Sequence, residues 1–212
     1  MNLTDFKVLT FDVYGTLIDW ETGMVNGLKT LTDKMSRRIT RNEILEAHAH
    51  YESSTQLYTP TKVYSDTLAV VYKRLAEEWG VVVTWSDCLT YGASVKDWPA
   101  FKDSVEALQY LKHHFVLVVL SNIDNTSFVH SNKKLNVVFD AVYTAEDIGS
   151  YKPSQVNFDY MIENLERLGV KKTEILHTAE SMFHDHAPAN HCGLSNCWIY
   201  RRHGQRSEEH TS

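Results

Sequence analysis

The run Val8-Leu9-Thr10-Phe11, closed by Asp12 and followed by Val13-Tyr14-Gly15, constrains this chain more than any other stretch. Four residues rich in β-branched and aromatic side chains suit a strand that is buried on both faces. Such strands belong to parallel sheets covered by helices on either side, so the run predicts an α/β fold. Gly15 lets the backbone turn sharply, which leaves the Asp12 carboxylate at the carboxyl end of the strand, where open α/β sheets bind ligands. An aspartate there can serve as a nucleophile or cap the next helix, and this segment alone leaves both readings open.

Three later segments bear on that choice. Val116 to Leu120 reads as a second apolar strand and ends in Ser121-Asn122. Tyr151-Lys152-Pro153 sets one ammonium before a proline expected to open a helix, and the predicted strand Ile175-Leu176-His177-Thr178 leads into Glu180-Ser181-Met182-Phe183-His184-Asp185. An aspartate, a Ser/Asn pair, a lysine and an acidic pair, each after a predicted strand and in this order, resemble the four motifs of the haloacid dehalogenase (HAD) superfamily of hydrolases. The resemblance spans nearly the whole chain. It implies a Rossmann-like, mostly parallel sheet core at 1–16 and 99–205, with an inserted helical cap domain at 17–98 that moves to exclude water and select substrate.

One position indicates the subtype. Phosphatases of the superfamily carry a second aspartate two residues after the nucleophile to protonate the leaving alkoxide, and here that residue is Tyr14. The segments Asp12-x-Tyr14-Gly15-Thr16-Leu17, Leu120-Ser121-Asn122 and Tyr151-Lys152-Pro153 resemble the 2-haloacid dehalogenase branch, whose halide leaving groups need no proton. The resemblance implies that Asp12 attacks the halogen-bearing carbon of a short 2-haloacid and that water hydrolyses the resulting ester. It assigns Lys152 to holding Asp12 ionised, Asp185 to the hydrolytic water, and Ser121 and Asn122 to the substrate carboxylate or oxyanion. Tyr14 is expected over the entrance, Thr16 to brace the turn, and His184 or its neighbour His186 to assist Asp185. Arg41 is the candidate for the cap arginine that binds carboxylate or halide in this branch. Phe158 stands where the family uses a tyrosine.

The fourth motif departs from that branch, because Glu180 and Asp185 have the spacing of the magnesium-binding phosphatases. Asp12, Glu180 and Asp185 face a single lysine, so either a carboxyl stays protonated or a cation is bound. Mg²⁺ would take Asp12, Asp185 and the Tyr14 carbonyl. The dehalogenase reading needs no cofactor, whereas the alternative is a Mg²⁺-dependent phosphatase acting on a small phosphate ester. A non-catalytic binding protein on the same fold is the second alternative.

The rest of the chain fits an enzyme of small molecules. Between Asp19 and Gly80 apolar residues recur at helical spacing, in Ile44-Leu45, Tyr51 and Leu57 and again in Leu68, Val71-Tyr72, Leu75 and Trp79. Val81-Val82-Val83 suits either a short strand or a link between helices. After Pro99 helices are expected at Asp103–His113, Thr126–Leu135, Ser154–Leu168 and Ala187–Cys192, and further strands at Ala141–Tyr143 and Trp198–Tyr200, with right-handed crossovers between parallel strands. A net charge of -6 offers no footprint for nucleic acid or an anionic membrane. No signal segment or membrane span is read, so the chain is expected in the cytoplasm, with a homodimer through the cap as one arrangement. Cys88, Cys192 and Cys197 suit reduced thiols. The terminal segment 206–212 resembles a translated sequencing adapter and is expected to be a non-native tail that replaces a last strand and helix.

Overall fold

The computed structural model describes residues 2–201; the expected non-native tail at 206–212 lies outside them. Five parallel strands form one sheet: β1 (Val8–Phe11), β2 (Val116–Ser121), β3 (Ala141–Thr144), β4 (Ile175–Ala179) and β5 (Ser195–Trp198), in the order β3-β2-β1-β4-β5. β1 is central, and the sequence doubles back on either side of it. The carboxyl ends of β1, β2 and β4 therefore converge on the crevice where the strand order reverses.

Burial on both faces explains the apolar strands. Leu9, Phe11, Leu117 and Val119 join one hydrophobic cluster, and Val8, Val118, Leu120 and Ile175 join the other. Each such side chain contributes about 1.5–3 kcal/mol by leaving water.

Between β1 and the return to the sheet lie five α-helices, α1 (Trp20–Gly27), α2 (Lys29–Thr32), α3 (Arg41–Tyr58), α4 (Tyr64–Glu78) and α5 (Trp85–Gly92), and a 3-10 helix at Ala93–Asp97. Thr40 and Glu43 form a capping box that starts α3, and Thr84 and Asp87 do the same for α5. The expected stripe of α4 is realised, with Leu68, Val71, Tyr72 and Leu75 buried. On α3 Ile44 is buried but Leu57 is exposed. Val81-Val82-Val83 has no regular structure and links α4 to α5. The helical layer leaves and rejoins the sheet layer through a narrow neck, where Asp19 N–H donates to Pro99 O at 2.8 Å and Phe101 N–H donates to Leu17 O at 3.0 Å. Two further bonds tie the layers together: Ser65 N–H to Asp124 Oδ2 at 3.1 Å, and Tyr151 hydroxyl to Lys62 O at 2.5 Å.

The sheet layer is completed by α6 (Ser104–Lys112), α7 (Asn125–Leu135), α8 (Ala145–Ile148), α9 (Gln155–Arg167) and α10 (Ala187–His191). Two sequence readings are corrected here. The last strand is Ser195–Trp198 and not Trp198–Tyr200, because an edge strand is set by pairing to β4 (Leu176↔Ser195 through Ala179↔Trp198) and not by its apolar content. Pro153 does not open α9, which begins at Gln155 after Ser154. No helix among the described residues is long and apolar enough to cross a membrane, and all three cysteines are free.

Candidate active site

Asp12 follows β1 directly, with its N–H still donating to Thr178 O of β4 at 3.1 Å. Gly15, at φ +99°, then reverses the chain, a conformation that disfavours any side chain. The carboxylate, 6% exposed, accepts from Lys152 Nζ at 2.9 Å through Oδ1 and from the Thr16 hydroxyl at 2.8 Å through Oδ2. Thr16 Oγ1 in turn accepts the Glu180 N–H at 3.0 Å, which ties the β1 turn to the segment after β4.

Lys152 spends all three protons: on Asp12, on Asp185 Oδ1 at 2.5 Å and on Leu120 O at 3.1 Å. Its backbone is held by Asn122, which accepts the Lys152 N–H at 2.7 Å and donates to Lys152 O at 3.0 Å. The Asn122 side chain thus engages the Lys152 backbone, and Asn122 also lines the cavity, on the substrate side where the sequence reading put it. Ser121 differs: its hydroxyl is buried with no hydrogen-bond partner among the described residues, beside the cavity that Asp12 lines.

A π-helical turn at Met182–His186 aims Asp185 inward. Asp185 Oδ1 also receives His177 Nε2 at 2.9 Å, and His177 Nδ1 lies 2.8 Å from Thr10 Oγ1. A carboxylate needs a donor, so Nε2 carries the ring proton and Nδ1 accepts from Thr10. Pairing of β1 with β4 sets Thr10 opposite His177. This imidazole was not singled out from the sequence; a histidine inside an apolar strand was the available signal. Asp185 Oδ2 is buried and unpartnered among the described residues.

The electrostatics divide the two aspartates. Burial raises the Asp12 carboxyl above its ordinary value, with repulsion from Asp185 adding to it and Lys152 opposing. Burial acts on Asp185 too, but Lys152 and His177 outweigh it and hold that carboxyl below the usual range. Lys152 moves up: burial works against its charge, and the two carboxylates prevail. The two carboxyls therefore shift in opposite directions, Asp12 up and Asp185 down.

These groups form the floor of a cavity of about 620 Å³, roofed by Trp20, Glu52, Gln56 and Tyr64 of the helical layer. The roof residues were not singled out from the sequence, because their meeting with the floor depends on how α3 and α4 pack. Tyr14 lines the cavity with its hydroxyl 2.7 Å from Ser131 Oγ and its ring edge-on to Trp98; burial pushes its phenol up. His184 also lines it, and burial lowers its imidazole, favouring the neutral ring. Glu180 lines the cavity as well. Arg41 is not among the lining residues: it opens α3, and its Nη2 contacts Glu21 Oε2 at 3.1 Å. His186 is spent on Asn196 and Ala179 O.

A family model described as haloacid dehalogenase-like hydrolase matches residues 6–178. The chain belongs to that family. It is 30% identical over 113 residues to an (S)-2-haloacid dehalogenase of Pseudomonas fluorescens, an alignment covering 51% of this chain and 47% of the relative. The match thus spans about half the length of that curated relative. Among solved structures, the L-2-haloacid dehalogenase of Xanthobacter autotrophicus superposes with a TM-score of 0.78 at 17% identity, covering 94% of this chain and 79% of the other. It has also been solved with chloropropionic acid covalently bound. The HAD-hydrolase YfnB of Bacillus subtilis, bound to magnesium, gives a TM-score of 0.75 at 16% identity, covering 92% and 88%. At these identities the likeness shows the fold.

HAD membership raises the question of a divalent cation. Mg²⁺ needs near-octahedral oxygen ligation. Here the Lys152 ammonium holds one oxygen of each aspartate and Thr16 holds the second oxygen of Asp12, so of the four aspartate oxygens Asp185 Oδ2 alone has no partner among the described residues. Among the described residues no three His, Cys, Asp or Glu side chains cluster as a metal site. The donor set in this arrangement does not fit the ion.

Proposed function

We propose that this HAD-family hydrolase cleaves the carbon–halogen bond of a small 2-halocarbonyl compound, the class that includes the 2-haloacids, through a covalent ester on Asp12. The observation that carries the reading is Tyr14: the residue two places after Asp12 is a phenol with a raised pKa, engaged with Ser131, so no carboxylic acid stands there to protonate a basic leaving group. Halide is so weak a base that it leaves without a proton. Two relatives named as 2-haloacid dehalogenases, one solved with chloropropionic acid covalently bound, support the choice of leaving group and of a covalent route.

In the first step an Asp12 oxygen forms a bond to the halogen-bearing carbon, and the halide departs with the bonding pair. Thr16 and Lys152 keep the carboxylate aimed. In the second, water attacks the ester carbonyl carbon. Asp185 Oδ2 accepts a hydrogen bond from that water and orients it, while His177 Nε2–H holds Oδ1 in place; the proton of the water is released to solvent. The sum is one hydroxyl product, one halide and one proton per turnover. Mg²⁺-dependent phosphate transfer fits the site less well, since it lacks both a general acid at Tyr14 and a metal donor set.

The test is a single turnover of a 2-halocarbonyl substrate in ¹⁸O water, with halide release followed in the presence of a chelator. The first product should carry unlabelled oxygen from Asp12, halide release should survive the chelator, and Asp12→Asn should abolish it while leaving the fold intact. Immediate label in the first product would show direct attack by water. Chelator-sensitive phosphate release with no halide release would show the phosphatase.

A further inference from the structure

The cavity roof carries a carboxylate, Glu52, and among the described residues Lys152 is the one lysine or arginine that lines the cavity. Ala49, Glu52, Ser53 and Gln56 form one stripe of α3 on the cavity. Glu52 is held from its own helix and from α4: Gln56 Nε2 donates to Oε1 at 3.2 Å, His48 Nδ1 lies 3.3 Å from Oε2, and the Tyr64 hydroxyl of α4 bonds to it as well. His48 is fixed in turn by the Tyr91 hydroxyl of α5, 2.8 Å from Nε2. Burial raises the Glu52 carboxyl, but His48 and Tyr64 outweigh it and the net direction is down.

The remaining ionisable groups on the cavity do not supply a partner for a substrate anion. Asp12, Glu180 and Asp185 are acids, Lys152 is committed to two of them, and burial holds the His184 imidazole toward its neutral form. Arg41 lies off the cavity on Glu21. A substrate carboxylate turned toward α3 would face Glu52 in a desolvated space, whereas a hydrogen-bond donor there would be matched. The Ser121 hydroxyl, 2% exposed and unpartnered among the described residues, supplies a donor on the sheet side of the cavity for a carbonyl oxygen. A carboxamide offers both a carbonyl oxygen and a proton donor, whereas a carboxylate offers acceptors alone. The carbonyl also activates the adjacent carbon–halogen bond for displacement.

We propose that Glu52 is a specificity-determining residue that selects 2-haloamides over 2-haloacids, with Ser121 taking the carbonyl oxygen. The substrate class rests on the dehalogenating reading above, but the selection itself is measurable without chemistry. Binding of the halogen-free product pair, lactamide and lactate, is titrated by NMR on the wild-type protein and on Glu52→Gln. The amide should bind the wild type at least about 10-fold more tightly, and the preference should fall toward unity in Glu52→Gln, where the repelling charge is gone. Halide release from 2-chloropropionamide and 2-chloropropionate should show the same bias in kcat/KM, about 100-fold in the wild type. Equal or tighter binding of lactate to the wild type, no detectable binding of either compound, or an unchanged preference in Glu52→Gln would overturn the assignment. The wild-type comparison decides even if the variant does not fold. An amide preference without halide release from either substrate would defeat the dehalogenating reading and leave the role of Glu52 standing.

Discussion

Replacing Lys152 with methionine removes the one ammonium of the cavity floor while keeping much of its length and volume. The side chain is 2% exposed and contacts Asp12 at 2.9 Å and Asp185 at 2.5 Å. At an effective dielectric constant of about 20, each contact is on the order of 6 kcal/mol in Coulomb terms, most of it offset by desolvation of the charges. Stranding buried carboxylates by deleting their partner costs about 3–5 kcal/mol net. For a chain of this length that lowers the thermal midpoint by about 6–20 °C. The cost depends on pH, and its sign follows from the directions of shift. In the wild type Asp185 is held below its ordinary value, so it stabilises the fold above that value and loses the contribution as pH falls through its folded pKa. Lys152 is raised, so its own contribution is present below the ordinary lysine value and is lost only as pH rises through its folded pKa. In Lys152→Met, burial and mutual repulsion raise both carboxyls, and protonation on acidification favours the folded variant. The gap in midpoint should be widest near neutrality and shrink toward about pH 4, as read by circular dichroism melts at a series of pH values. A gap of the same size throughout would reduce Lys152 to a packing residue. An unchanged midpoint with retained halide release would refute the ion-pair argument entirely.

Two further substitutions probe the supports of the site. Asn122→Ala removes two hydrogen bonds to the Lys152 backbone; it should cost about 2 kcal/mol in denaturant unfolding and lower kcat about 10-fold with little change in KM, and a rise in KM alone would return Asn122 to substrate binding. Gly23→Ala in α1 should destabilise by about 1–3 kcal/mol, although helix propensity alone favours alanine by about 1. The added Cβ would lie 2.3–2.6 Å from atoms of the buried Trp98, so pairing it with Trp98→Leu should shrink the penalty; a stabilised single variant would show that Trp98 yields.

The local part of this protein was written in the sequence. Periodicity and turn chemistry mark β1, β2, β4, the α4 stripe and the order of the motifs, because these depend on neighbours within a few residues. Asp12, Ser121, Lys152 and Asp185 were legible for the same reason: each follows a strand, and strand ends of a parallel sheet converge. What each residue does once there was decided by tertiary packing. Asn122 turned out to clamp Lys152, and Arg41 to sit on Glu21 away from the cavity, because a hydrogen-bond partner is set by distances between segments far apart in the chain. His177 entered the site through the register of β4 against β1, which no single strand encodes. β5 likewise took its limits from pairing to β4 and not from its own residues. The roof was the least legible part. Glu52 and Gln56 lie on a polar stretch of α3 that reads as a solvated face, and only the docking of α3 and α4 over the sheet turns that face into the wall of a cavity. The sequence could therefore place the Asp12 carboxylate at the end of β1, whereas the Glu52 carboxylate on the opposite wall of the cavity was brought there by how two layers of the fold close on one another.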